Sequence, residues 1–441
     1  MEVCTVSGFN EVGKNMTAIK IGEEVVILDM GIHIPALVSL EGEDRSKKLT
    51  NAELFNAGAI PDEEPIADWK KDVKAIILGH CHLDHIGAIP YLASKYKCPI
   101  IGTPYTLQVL RAILEDEKRT ITNTLRPISP NSKIKISENL SLELIQITHS
   151  TPQSSFITLY TPEGIIVYTL DYKFDNHPEI GQKPNYQQLR DLGKKGVKLL
   201  INESLYADRE MKTPSEKVAK EMLKDVLLSV DNHGKAVFVT TFASHIARIK
   251  TVIELAEKLK RKVVILGRSM SKYIKAAEDV KIVNFTKKAL MGSYREQTKK
   301  LLTLIRKNPS KYLVICTGNQ AEPGSVLDRL VNKEFDFKFE EGDHVIFSCK
   351  TIPDPLNIAN RKLMEAKLKK QKVRIFTEIH TSGHASREDH RDLINFLKPT
   401  YIIPAHGDSK KEAAMAQLAE EIGYKIGKNV FLMADGQKIV L

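Results

Sequence analysis

The residues best equipped for chemistry are His80-Cys81-His82-Leu83-Asp84-His85, directly after the apolar run Val73 to Leu78. So dense a group of imidazoles with a carboxylate suits zinc or a similar divalent metal. If the chain leaves a strand here and turns into a helix, His80 and His82 point one way while Asp84 and His85 point another. One short segment then feeds two adjacent metals. The plain alternative is a chance cluster of surface histidines. Three further residues stand at the ends of predicted strands: His149 after 142–147, Asp171 after 165–170, and His406 after 401–404. Taken singly, each is a common cap or turn residue. Together with the hexapeptide they complete a donor set for two metal sites, at the strand ends where active sites gather.

The elements that must position these residues show in the apolar pattern. Residues 1–31 read as two or three short strands with glycine turns, ending in Val25-Val26-Ile27-Leu28-Asp29-Met30-Gly31. Residues 33–67 read as a long loop with a short helix near 51–55. The stretch 73–102 reads as strand, metal motif, helix (86–95) and strand; 103–118 is helical; 133–175 alternates like strands. Leu199-Leu200-Ile201-Asn202-Glu203 is a buried strand ending in a carboxylate. Thr213-Pro214-Ser215-Glu216 then makes a helix start with Thr213 as cap. From there helices (215–231, 244–259, 271–278, 294–307, 354–369) alternate with strands (236–240, 262–266, 280–283, 312–317, 344–348), which implies a parallel, doubly wound α/β unit. Short strands resume at 373–378. Metal-type residues occur on both sides, so the expected organisation is a first domain in two parts, 1–208 and 373–441, with 209–372 inserted.

Bulk properties narrow the class. The chain has 441 residues, enough for two cores, and no apolar run reaches the length of a membrane span. The N-terminus has no basic and apolar leader pattern, so secretion is not expected. Five scattered cysteines without a CxxC pair suggest reduced thiols and a cytoplasmic location. A net charge of +10 favours a polyanionic partner such as nucleic acid, against the alternative of a Lys-rich solvated surface. A single Trp leaves no aromatic-rich stacking platform evident. The Gly-bearing segment 317–324 lacks the Lys and Ser/Thr of a P-loop, which excludes that mode of nucleotide binding.

The order of Asp29, His80-x-His82-x-Asp84-His85, His149, Asp171 and His406 resembles the metallo-β-lactamase superfamily. The resemblance implies one metal on His80, His82 and His149, a second on Asp84, His85 and His406, and Asp171 as a bridge. Asp29 would orient the motif loop rather than ligate. Two zinc ions per chain are implied, with manganese possible, and a metal-activated hydroxide as nucleophile. Leu83, where an acidic residue would help a di-iron redox site, argues for hydrolysis.

Glu203 in Asn202-Glu203-Ser204-Leu205-Tyr206, His384 in His380-Thr381-Ser382-Gly383-His384, and His406 match motifs A, B and C of the β-CASP nucleases. Thr240-Thr241-Phe242-Ala243-Ser244, Gly267-Arg268-Ser269-Met270 and Thr317-Gly318-Asn319-Gln320-Ala321-Glu322-Pro323-Gly324 are similar to the RNase J family. The fold class so implied is α/β, a metallo-β-lactamase αββα sandwich with an inserted β-CASP domain. The implied activity is 5′-to-3′ hydrolysis of single-stranded RNA with a preference for 5′-monophosphate ends. Asp84, His384 and Glu203 would be catalytic, His384 acting on the scissile phosphate and Glu203 orienting it. Ser244, Ser382 and Gly383 would hold the RNA 5′-phosphate. A homodimer and no membrane partner are expected.

The chain departs from the family pattern in three places. Leu170 precedes Asp171 where bacterial members often have Gly, and Cys81 sits inside the metal motif. The chain ends soon after His406, so neither the C-terminal domain of bacterial members nor the N-terminal KH-type extension of archaeal cleavage factors is expected. This favours a compact archaeal-type exonuclease. An endoribonuclease of the cleavage-and-polyadenylation-factor type, or an RNA-binding scaffold without activity, stays open as the alternative.

Overall fold

Alternating apolar side chains build the sandwich that carries the motif. Along Val197–Glu203, Leu199 and Ile201 enter one core while Leu200 enters another, because successive side chains of a strand face opposite ways. The computed structural model describes residues 1–41 and 49–441. These form two units, Met1–Asn176 with Gln182–Thr213 and Gly383–Leu441, and His177–Gly181 with Pro214–Ser382.

In the first unit a seven-stranded sheet runs in the order Gln437–Val440, Glu2–Ser7, Met16–Ile21, Glu24–Leu28, Val73–Leu78, Ile100–Gly102, Leu125–Pro127. A six-stranded sheet runs Tyr401–Ala405, Val197–Glu203, Gly164–Tyr168, Ser155–Thr161, Ser141–Gln146, Ser132–Lys135. Val26, Leu28, Ala75 and Ile77 of one sheet meet Leu142, Leu144, Ile157, Leu159 and Ile201 of the other. Each such fully buried Leu or Ile contributes about 1.5–3 kcal/mol. The outer face of the six-stranded sheet is covered by the helices Tyr186–Lys195, Arg387–Leu397 and Ser409–Glu421 through Leu189, Leu393 and Met415. Helix Pro104–Glu117 packs beside Ile100–Gly102.

The second unit is a six-stranded, all-parallel sheet in the order Ala289–Gly292, Lys262–Leu266, Tyr312–Cys316, Val237–Thr240, His344–Phe347, Arg374–Phe376. The chain is therefore a metallo-β-lactamase-type sandwich with an inserted parallel α/β unit, the fold class expected from the sequence.

Several elements differ from expectation. The segment 280–283 is not a strand: helix Arg268–Asp279 ends there, with Lys281 at φ 62° and the Ile282 N–H donating to the Ala277 carbonyl at 2.8 Å. An apolar residue after a left-handed cap is a helix stop, which reads like a strand in a short window. The strand comes later, at Ala289–Gly292. Arg374–Phe376 pairs in parallel with His344–Phe347, so this strand belongs to the inserted sheet and not to the second part of the first domain. The helix at 216 is capped by Ser215, whose hydroxyl accepts from the Lys217 N–H, and not by Thr213. The expected helix 86–95 is broken into Leu83–Ile86, Ile89–Leu92 and a 3₁₀ turn, because Pro90 cannot sit in a helix interior. The loop 33–67 holds a helix at Ile34–Glu41 as well as Asn51–Asn56; residues 42–48 of that loop lie outside the described residues.

Candidate metal centre

Each donor lies on the segment that follows a strand. After Val73–Leu78 the chain passes Gly79 and His80, and His82 caps the four-residue helix Leu83–Ile86 that carries Asp84 and His85. The motif is clamped by backbone bonds: Met30 N–H to the His85 carbonyl (2.8 Å), Ile32 N–H to Leu83 (3.0 Å) and Asn15 N–H to Asp84 (2.9 Å). This close approach explains Gly31, where an added Cβ would lie 1.7 Å from the Asp84 carbonyl oxygen. Asp171 does not end its strand directly. The strand Gly164–Tyr168 stops, Leu170 takes φ 58°, and Asp171 follows. A left-handed backbone favours glycine, which gives Leu170 its physical context; its side chain instead fills the space over Gly79. Asp29 (φ 60°) and His406 (φ 53°) are also left-handed, the kind of backbone strain that clusters at functional sites.

The side chains converge in two sets that share Asp171. Donor atoms of His80, His82, His149 and Asp171 lie within 4.8 Å of one another, as do those of Asp84, His85, Asp171 and His406. Asp171 Oδ2 is 3.4 Å from His80 Nε2, 4.0 Å from His82 Nδ1 and 3.7 Å from His149 Nε2. Its Oδ1 is 3.4 Å from His85 Nε2 and 3.5 Å from His406 Nε2. Asp84 Oδ2 closes the second set at 3.8 Å from His85 and 3.9 Å from His406. His82 Nδ1 stands 3.2 Å from both His80 Nε2 and His149 Nε2. A tetrahedral zinc site with nitrogen and oxygen ligands has donor–donor edges of about 3.4 Å. The observed separations fit that cage.

Protonation fits as well. Burial lowers His80 to about 3 and His406 to about 4, and holds His149 well below the ordinary imidazole value, so their lone pairs are available. Burial also opposes charge on His85, but Asp171, Asp84 and Asp29 outweigh it and hold that imidazole high. That concentration of carboxylate charge is what a cation would offset. Cys81 is buried, its thiol pushed up to about 12 by burial, and it is not among the converging donors.

The remaining ring nitrogens are held from behind. His85 Nδ1 lies 2.6 Å from Asp29 Oδ2, which also accepts from the Tyr168 hydroxyl at 3.3 Å. His149 Nδ1 donates to the Gly383 carbonyl at 2.7 Å. His406 Nδ1 lies 2.8 Å from the Asn15 amide nitrogen and 3.0 Å from its side-chain oxygen, and the Asn15 amide donates to the Asp84 carbonyl at 3.0 Å. The bonds to Asp29 and Gly383 select the tautomer that points a lone pair inward. Asn15 and Tyr168 were not singled out from the sequence. In sequence Asn15 is indistinguishable from any Asn in a Gly-bearing turn. Asp29→Asn is expected to weaken metal affinity about 10–100-fold with little change in fold; metal titration of the variant followed by circular dichroism checks both parts.

Beside the two sets, Asp171, Glu203 and His384 form a third group. His384 Nδ1 is 2.9 Å from Glu203 Oε2, and Glu203 Oε1 accepts from the Tyr172 N–H at 2.9 Å. Burial opposes charge on His384, but Asp171 and Glu203 overcome it and raise the imidazole to about 9. Ser244 lies buried just before helix Ile246–Lys258, and Ser382 is the last residue of the inserted unit. Among the described residues no helix is long and apolar enough to cross a membrane.

Residues 10–192 match the model of the metallo-beta-lactamase superfamily, 234–364 that of the ribonuclease J beta-CASP domain, and 371–433 that of the Zn-dependent metallo-hydrolase RNA specificity domain. Fold and site thus define a metallo-β-lactamase-type hydrolase with an inserted β-CASP domain. The chain is 44% identical to ribonuclease J of Methanocaldococcus jannaschii, covering 99% of this chain and 98% of that one. It is 44% identical to ribonuclease J of Pyrococcus abyssi, covering 100% and 97%. The chain belongs to the ribonuclease J family. A crystal structure of a protein of unknown function from Enterococcus faecalis shares the fold, with a TM-score of 0.68 at 18% identity over 100% of this chain and 99% of that one.

Proposed function

We propose that the chain is a metal-dependent 5′-to-3′ exoribonuclease acting on single-stranded RNA. The observation that carries this is Asp171 shared between two donor sets, with the His384–Glu203 pair beside it, in a member of the ribonuclease J family. The site would take two zinc ions, or manganese. His80, His82 and His149 would hold one, Asp84, His85 and His406 the other, and Asp171 both. When bound, the metals supply Lewis acidity toward the phosphoryl oxygens and lower the pKa of a water.

The chain's own residues do the rest. Asp29 and the Gly383 carbonyl keep His85 and His149 in their ligating tautomers, and Asn15 holds the His406 ring in place. Glu203 holds His384 Nδ1–H, so that Nε2 faces outward. His384 is partly open to solvent, and it contacts the scissile phosphate and protonates the departing 3′ oxygen. Ser244, Ser382 and the adjoining Gly383 are assigned the 5′-monophosphate. A net charge of +10 supports a polyanionic strand as substrate.

The test uses internally labelled single-stranded RNA carrying a 5′-monophosphate, 5′-triphosphate or 5′-hydroxyl, with added zinc or manganese and His82→Ala as control. Mononucleotides released from the monophosphate form alone, with the control inactive, are expected. Discrete internal fragments whatever the 5′ group would replace this reading with an endoribonuclease. Binding without metal-dependent cleavage would replace it with a scaffold.

A further inference from the structure

Arg209 occupies an unusual position close to His384. Its guanidinium lies 3.4 Å over the centre of the Tyr206 ring. The Tyr206 ring in turn meets the His384 ring edge-on, with centroids 5.8 Å apart. The backbone ties all three together: the Arg209 N–H donates to the Tyr206 carbonyl at 3.1 Å, the Arg387 N–H donates to the Arg209 carbonyl at 3.0 Å, and Tyr206 bridges Ser386. Arg209 is thereby held in register with the segment that presents His384.

Among the described residues, no carboxylate pairs with the Arg209 guanidinium and no acceptor takes its N–H groups. The contrast with nearby arginines is plain. Arg387 pairs with Glu421, and Arg391 pairs with both Glu421 and Glu388. A half-buried guanidinium stacked on an aromatic face keeps its planar fork of donors for an anion from outside. Phosphate is the group that this fork matches best in a nucleic-acid strand.

We infer that Arg209, seated on Tyr206, binds a phosphate of the RNA strand beside His384, other than the scissile one. This rests on the ribonuclease reading of the same site. Arg209 is a substrate-positioning residue; it does not touch the reacting atoms. Tyr206 sets the plane of the guanidinium and spaces it one ring away from His384.

The test measures binding of a short, 3′-fluorescein-labelled, 5′-monophosphorylated single-stranded oligoribonucleotide by anisotropy at several salt concentrations. The full-length, metal-loaded chain carries His384→Ala to slow hydrolysis, with and without Arg209→Ala. Loss of Arg209 is expected to weaken binding about tenfold and to reduce the slope of log affinity against log salt by about 0.7. Arg209→Lys should keep most of the slope. In the otherwise wild-type chain, Arg209→Ala should raise KM by a similar factor and change kcat far less. If Arg209→Ala loses the native circular dichroism spectrum, Arg209→Gln, which keeps the stem over the ring, carries the same comparison. Unchanged affinity and unchanged salt slope in a folded variant, while the wild-type chain cleaves RNA, would overturn the assignment of Arg209 alone. Arg209-dependent binding with no cleavage by the wild-type chain would overturn the ribonuclease reading and leave the phosphate contact standing. No RNA binding by any form would overturn both.

Discussion

Asp171→Ala is expected to lower RNA hydrolysis by about 10³-fold or more and to release metal from both donor sets together. The reason is positional. Asp171 Oδ2 faces His80, His82 and His149 while Oδ1 faces His85 and His406, at 3.4–4.0 Å. Each of the other donors serves one set only. Removing His406 should therefore deplete the second set and leave metal in the first, whereas removing Asp171 should disturb both. Metal content per chain, measured by mass spectrometry on the purified variants, separates the two cases; activity on labelled RNA is measured in parallel. An Asp171→Ala chain that keeps full metal content and wild-type turnover would remove Asp171 from the centre.

The largest stability effect is expected in the inserted unit. Glu216 accepts from Arg248 Nη2 at 2.9 Å and is bonded to its Nε as well. Arg248 Nη1 also donates to the Ser348 carbonyl (2.8 Å) and to the Ile379 carbonyl (3.1 Å). The Thr381 hydroxyl donates to Glu216 at 3.2 Å. Both charged groups are buried, so Glu216→Ala leaves a buried guanidinium without its counter-charge, a loss of about 3–5 kcal/mol. Calorimetry should show a lower Tm for the transition of this unit. Glu216→Ala with Arg248→Met should cost less than the sum of the single changes, because the stranded charge is then gone. Equal, additive losses would show that the pair does not couple.

The pH dependence follows from the same pair. Burial alone would raise the Glu216 pKa, but Arg248 and then His245 outweigh it and hold the carboxyl well below its usual range. A depressed folded-state pKa stabilises above the unfolded value, about 4.3. That stabilisation is lost as the pH falls from there through the folded value. The stability gap between wild type and Glu216→Gln should therefore shrink as the pH falls below about 4.3. A gap that widens as the pH falls would contradict the ion pair.

Local patterns were readable where the physics is local. The hexapeptide 80–85 projects donors to two sides because a strand end, a cap and a helical turn follow within six residues. The sandwich strands were readable because they are short apolar runs buried on both faces, with successive side chains entering different cores. The helix stop at 280–283 and the strand Arg374–Phe376 depart from the sequence expectation for a common reason. A short apolar run does not state which partner buries it: Ile282 closes a helix, and Arg374–Phe376 joins the inserted sheet rather than the sandwich. Thr213 resembles a cap in sequence, yet its hydroxyl donates to the His384 carbonyl at 2.7 Å.

By itself, then, the sequence determined the donor types, their order, the two-part organisation and the family resemblance, since these depend on residue identity and on spacing within a few residues. Tertiary structure decided which oxygen of Asp171 faces which set, and which partner holds each imidazole. It also decided that Arg209 stands beside His384 with no acidic partner among the described residues. Those relations join residues as far apart as Asn15 and His406, 391 positions along the chain. Only the closed sandwich, with both sheets delivering their strand ends to one place, brings such pairs within hydrogen-bond reach.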